Sequence, residues 1–349
     1  MAIPRPFVIL VAAALAGAAF GPLDLQAAEP VAVAALVAVL YVGGADIGAR
    51  RMRAAAGPVL GLGVLGTFLT AGLIAVAAHA VLGLDWTLSG VLGAALAPTD
   101  PAVVFSVLGD RELSGRTRTV IEGEAGFNDP AGIALTAGMI ELATRSGATL
   151  WVVAGTFALQ MAIGALAGAV GGRVVVAGAR AHPLLGLALA GGLYGVTAIV
   201  GGSGFLAVFL AGLLVGDAPA ARLHRGVDRL GEAVVLVALG LTIDVVSLPG
   251  TTWRDGLVLA ALITLVARPL TVAATLAPTG LTPRERAFVA WGGLKGAVPI
   301  LLAAFAVLGG VAGADELYGI VFVTVAVSVL AQGALLPAVA RRLGVAAER

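Results

Sequence analysis

Six ionisable side chains stand inside otherwise apolar stretches of this sequence: Asp100, Glu122, Glu124, Asp129, Arg268 and Lys295. A charge at the centre of a membrane helix costs about 2.5–3.5 kcal/mol on insertion scales, so such residues mark ion paths or buried ion pairs. Asp100 lies in Ala97-Pro98-Thr99-Asp100-Pro101. Two prolines three apart remove backbone donors and bar a local helix, so the carbonyls near Ala97 and Thr99 lose their partners. Freed carbonyls, the Thr99 hydroxyl and the Asp100 carboxylate are hard oxygen ligands of the kind Na⁺ or K⁺ prefers.

Asp129 closes the run Glu122-Gly123-Glu124-Ala125-Gly126-Phe127-Asn128-Asp129-Pro130. Glu124 and Asn128 are spaced i,i+4, as are Ala125 and Asp129, so the two pairs occupy adjacent strips of one helix. With Asp100, Asp129 is expected to form a carboxylate pair in low dielectric that holds a proton until a cation displaces it. Both residues are therefore the expected cation ligands. Glu124 is expected to pair with Arg268 or Lys295, and Glu122 to be structural or at a helix end. Lys295 sits in Gly292-Gly293-Leu294-Lys295-Gly296-Ala297-Val298-Pro299, a second helix interrupted by Gly and Pro. Its charge can balance buried acids or face half-helix carbonyl ends.

The elements that carry these residues are membrane helices. Apolar residues make up 60% of the 349 and charged ones 12%, and the mean hydropathy is +1.05. That charge fraction is about half that of a soluble domain. Cuts at Pro, Gly and charge clusters predict twelve segments at roughly 5–21, 29–47, 57–83, 87–109, 118–143, 150–178, 183–200, 203–216, 228–247, 254–277, 285–309 and 315–340. The fold expected is an all-α polytopic membrane protein, with residues 1–349 forming one transport domain. Alternating the segments puts Arg5, Arg50, Arg51, Arg53, Arg111, Arg116, Arg118, Arg173, Arg180, Arg222, Arg225, Arg229, Arg284, Arg286, Arg341, Arg342 and Arg349 on one side, against Arg145 and Arg254 on the other. Both termini are then expected to be cytoplasmic.

Phe7-Val8-Ile9-Leu10 recurs in character as Phe205-Leu206-Ala207-Val208. At the same offset Asp46-Ile47 matches Asp244-Val245, Leu96 matches Leu294 and Pro101 matches Pro299. Five-helix units at 5–143 and 203–340, joined by helices over 150–200, would be inverted repeats with corresponding broken helices, a transporter pattern. The repeat also argues against reading segment 1 as a cleaved signal peptide.

Other signals carry less. Without cysteine there are no disulfides or thiolate metal sites, and His79, His182 and His224 fall near helix ends. Gly61-Leu62-Gly63-Val64-Leu65-Gly66 fits a dinucleotide fingerprint but lies in an apolar helix without a preceding strand, where small residues serve packing. A near-neutral net charge of +1 gives no sign of nucleic-acid binding. No Gly-x-Gly-Asp sequence supports an intramembrane protease.

At Thr99-Asp100, Glu122 to Pro130, Gly204 to Gly212 and Gly292 to Val298 the sequence resembles the monovalent cation:proton antiporters of the sodium/proton exchanger superfamily. It is most similar to their electroneutral, potassium- or sodium/proton branch. The resemblance implies a homodimer in a bacterial-type inner membrane, with a scaffold bundle and a mobile six-helix core. Two crossed discontinuous helices would lie in that core, which moves the ion elevator-fashion. It further implies that Asp129 is the essential ion- and proton-binding carboxylate, supported by Asp100, Thr99 and Asn128. Asn128 implies electroneutral exchange, and Arg268 and Lys295 are core charge partners of acids such as Glu124. Relatives usually carry Ser at the position of Ala125 and Arg at that of Lys295. An additional N-terminal helix and a soluble regulatory domain, found in some relatives, are expected to be lacking. The function expected is exchange of Na⁺ or K⁺ for H⁺ without cofactor or enzymatic turnover. The alternative is a sodium-coupled symporter or cation channel on the same scaffold.

Overall fold

A computed structural model describes residues 3–108, 113, 115–216 and 226–345. Arg111, Arg222, Arg225, Arg349 and His224 lie outside the described residues. The described chain is α-helical. Leu25–Ile47, Ala56–Leu82, Leu150–Ala181, Gly250–Leu276 and Ala314–Leu343 are each long and apolar enough to cross a bilayer. Shorter apolar helices run over Arg5–Phe20, Pro183–Ile199 and Gly204–Gly216. Val227–Gly240, the long helix Gly115–Thr144 and the short Ala49–Ala54 are further unbroken elements.

Local chemistry sets the ends. Asp24 caps Leu25–Ile47 by accepting from the Gln26 amide at 3.1 Å, and Gly48 ends that helix at a φ of 73°. Asp85 caps Trp86–Leu96 through the Thr87 and Leu88 amides at 2.9 and 3.0 Å. Thr282 and Glu285 form a capping box at the start of Pro283–Trp291. Each device satisfies amide donors that the first helical turn leaves without intrahelical partners.

One boundary lies more than four residues from the expected one. The segment expected over 228–247 ends at Gly240, because Leu241 to Pro249 form a turn in which Asp244 accepts from the Val246 and Ser247 amides. Three of the expected segments contain π-helical stretches, at Gly61–Leu65 and Ala78–Leu82, Ile263–Ala267, and Ser328–Gln332. The third immediately precedes Arg268 and the last faces the second broken segment, and such bulges are frequent at functional sites.

The helices fall into two packed groups. Helices from 56 to 144 and from 250 to 343 pack on one another, and Thr70 and Thr271 hydrogen-bond across them at 3.1 Å. Helices 5–20, 25–47, 150–181, 183–199, 204–216 and 227–240 form the other group. Glycines allow close approach within and between groups. A Cβ on Gly44 would meet the backbone of Phe209 to Leu213, and one on Gly126 would enter the Phe209 ring. Small residues at helix contacts let backbones approach in this way.

Candidate functional site

Two helices are interrupted where the sequence places its prolines and glycines. Trp86–Leu96 stops before Pro98, and Pro101–Leu108 restarts on a proline whose missing N–H falls at an unsatisfied first-turn position. Pro283–Trp291 stops before Gly292, and Ala297–Leu308 follows. The breaks touch. The Asp100 amide donates to the Leu294 carbonyl at 2.8 Å. The Lys295 ammonium donates to the carbonyls of Ala97 and Pro98, both at 3.0 Å.

That second contact engages a carbonyl that the sequence offered as an oxygen ligand. The carbonyl of Ala97, freed by the prolines, is occupied by a lysine together with that of Pro98. The Lys295 side chain is 1% exposed, and its amine nitrogen supplies donors to the two carbonyls that follow the end of the first half-helix.

Close to the breaks, Glu124 and Arg268 form a bidentate pair at 2.5 and 2.7 Å, with both side chains 3% exposed. The structure thus chooses Arg268 between the two basic candidates. Arg268 also donates to the Val289 carbonyl at 3.2 Å, tying the pair to the second broken segment. Gly293 leaves room for it, since a Cβ there would run into the guanidinium. Thr99 donates its hydroxyl to Glu124 at 3.3 Å and accepts from the Asn128 amide at 2.8 Å. Glu122 pairs with Arg118 at 2.7 Å, one turn away on the same helix.

The two strips of the Gly115–Thr144 helix face different surroundings. Glu124 and Asn128 turn into the hydrogen-bonded cluster, whereas Ala125 and Asp129 line a cavity of 570 Å³. Asp100 lines the same cavity from the first break, and Ala297 and Val298 line it at the start of the second half-helix. The cavity lies between the two helix groups, with Phe209 and Leu236 among the residues on its other wall. Exposed Arg5 and Arg229 stand at its rim. Among the described residues, Oδ1 of Asp129 and Oδ1 of Asn128 are buried without a hydrogen-bond partner. Buried acceptors left open in this way call for a water, an ion or a proton. A Cβ on Gly296 would collide with the Asp100 carboxylate, so that carboxylate rests against the N-terminal end of Ala297–Leu308, where the helix dipole favours negative charge.

A search restricted to charges misses a polar pair beside the second break. Ser328 accepts from the Lys295 amide at 3.0 Å and donates to Gln332 at 2.5 Å, and Gln332 donates to the Trp291 carbonyl at 3.0 Å. Their signal in the sequence is i,i+4 spacing inside an apolar helix.

The transmembrane sodium/hydrogen exchanger family profile matches residues 5–342. The chain is 36% identical over 274 residues to a protein of Shewanella oneidensis described as the K(+)/H(+) antiporter NhaP2, covering 74% of this chain and 48% of that protein. It is 35% identical over 275 residues to the K(+)/H(+) antiporter NhaP of Alkalimonas amylolytica, with the same coverage of 74% and 48%. The chain thus spans about half the length of the curated relatives it matches. A solved structure described as the sodium proton antiporter MjNhaP1 of Methanocaldococcus jannaschii superposes with a TM-score of 0.78 at 22% identity, covering 95% of this chain and 93% of that one. This likeness is one of fold.

Proposed function

Because the chain belongs to the transmembrane sodium/hydrogen exchanger family, we propose that it exchanges a monovalent cation, Na⁺ or K⁺, for H⁺ at the Asp100–Asp129 pair. The observation that carries this reading is the lining of one cavity by both carboxylates, with an oxygen of Asp129 lacking a partner among the described residues. A carboxylate pair lining such a cavity binds a cation when ionised and releases it when protonated. Two such states of one site give exchange without a separate coupling element. Thr99 and Asn128 hold the site from the side, and Glu124 with Arg268 locks the helices that carry it. If Asp129 alone changes protonation while Asp100 stays ionised, one H⁺ exchanges for one monovalent cation, and Asn128, which cannot titrate, adds no further proton to this electroneutral count.

The placement of the cavity between two helix groups supports elevator-type movement of the group that carries both breaks. The inverted repeat and the homodimer belong to the same reading. The arginine bias supports a cytoplasmic location for the termini and the cavity rim in a bacterial-type plasma membrane.

The test is proton flux in proteoliposomes followed with a pH-reporting dye while Na⁺ or K⁺ is added outside. Cation-driven flux that is lost in Asp129→Asn is expected. Undiminished flux in that variant removes the carboxylate pair from the mechanism, and absence of flux in the unaltered chain overturns the antiport reading.

A further inference from the structure

Ser328 and Gln332 occupy the π-helical stretch of Ala314–Leu343 level with the second break, and both are 3% exposed. Their hydrogen bonds span the interruption. The last residue of the upstream half-helix, Trp291, gives its carbonyl to Gln332 Nε2 and its indole N–H to the Gln332 carbonyl at 3.2 Å. On the far side of Gly292 and Gly293, the Lys295 amide reaches the Ser328 hydroxyl, and that hydroxyl donates to Gln332 Oε1. Ser328 and Gln332 thereby satisfy a carbonyl and an amide that a continuous helix would have paired internally.

This arrangement reaches beyond local repair. Leu294 and Lys295, held between these anchors, are the residues that grip the first break. Leu294 accepts from the Asp100 amide, and Lys295 donates to Ala97 and Pro98. We infer that Ser328 and Gln332 are positioning residues for ion exchange, a clamp that fixes the second break and through it the placement of Asp100 opposite Asp129. The inference rests on the exchange reading above. The π-helical turn presents both polar side chains on the side of the break.

Displacement of Asp100 weakens cation binding more than it slows movement of the loaded protein, so the effect falls on KM. Ser328→Ala and Gln332→Leu are each expected to raise the apparent KM for the transported cation five- to twentyfold and to shift the pH profile of exchange. The maximal rate should fall less than threefold. Ser328→Thr, which keeps the hydroxyl, restores KM to within about twofold. In parallel, hydrogen–deuterium exchange at residues 292–296 accelerates in Ser328→Ala and returns in Ser328→Thr. A purely structural role would lower the amount of folded protein without changing KM or the pH profile of what remains. Robust exchange by the unaltered chain together with unchanged KM and pH profile in both variants overturns the clamp alone. Absence of exchange by the unaltered chain overturns the antiport reading and the clamp with it.

Discussion

Glu124 and Arg268 meet in a doubly hydrogen-bonded pair with no more than a few per cent of either side chain exposed. Removing one partner leaves a buried charge without compensation, which costs about 3–5 kcal/mol, whereas removing both leaves none. Glu124→Gln and Arg268→Met are each expected to lower the melting temperature sharply in detergent. The double variant should be more stable than the sum of the two losses. A thermal double-mutant cycle reads the coupling, and strict additivity would show that the two charges do not depend on each other.

Lys295 is a different kind of buried cation, since its contacts in the structure include two backbone carbonyls. Lys295→Met leaves those oxygens buried without a donor, at about 1–3 kcal/mol for each. Lys295→Arg retains donors and is expected to lose less. Thermal unfolding in detergent ranks the three proteins, and equal melting temperatures for the Met variant and the parent would remove the capping role.

How much of this was legible in the sequence follows from the range of each interaction. Pro98 and Pro101 announce the first break because proline acts on its own backbone and its immediate neighbours. The strips formed by Glu124 and Asn128, and by Ala125 and Asp129, follow from helical spacing alone. The choice of Arg268 over Lys295 as the partner of Glu124 does not, because it depends on how helices more than a hundred residues apart are set against each other. The π-helical stretches carry no distinctive residue type. Ser328 and Gln332 escape a search for charge, and the capture of the Ala97 carbonyl by Lys295 appears only when the two breaks are brought together.

Gly296 offers a steric test of the Asp100 position. A Cβ there is driven into the Asp100 carboxylate, whose own amide is anchored on Leu294 and cannot retreat freely. Gly296→Ala is expected to raise the KM for the cation about tenfold, equivalent to about 1.4 kcal/mol of lost binding. Gly43→Ala is the control, because Gly43 also lines the cavity and a Cβ there meets nothing within 4 Å. Flux titrations on both variants decide the matter. Equal KM values would mean that Asp100 does not contribute to binding.

Ala125 lies one turn before Asp129 on the cavity wall. Alkali cations favour oxygen ligands, so a hydroxyl at this position adds one donor atom beside the carboxylates. Ala125→Ser is expected to lower the apparent KM about fivefold, from roughly 1 kcal/mol of added interaction. An unchanged KM would show that the cation does not touch this face of the helix.

Tyr318 and Thr242 join the two helix groups at the end opposite the cavity rim, with their hydroxyls 2.6 Å apart. Thr242 follows the end of Val227–Gly240, whereas Arg229, near the start of that helix, stands at the rim. On the proposed elevator movement this contact is made only while the far end is closed, and it then biases the protein toward the cavity-open arrangement by its net worth, about 0.5–1.5 kcal/mol for one hydrogen bond. Tyr318→Phe removes it without opening a void. The sequence contains no cysteine, so Ser106→Cys on the cavity wall provides a single labelling site in an otherwise unreactive chain. Labelling of that cysteine by a membrane-impermeant maleimide applied from the rim side is expected to slow by up to about tenfold when Tyr318→Phe is added. The same rate with and without the tyrosine hydroxyl would show that this contact does not hold the far end shut.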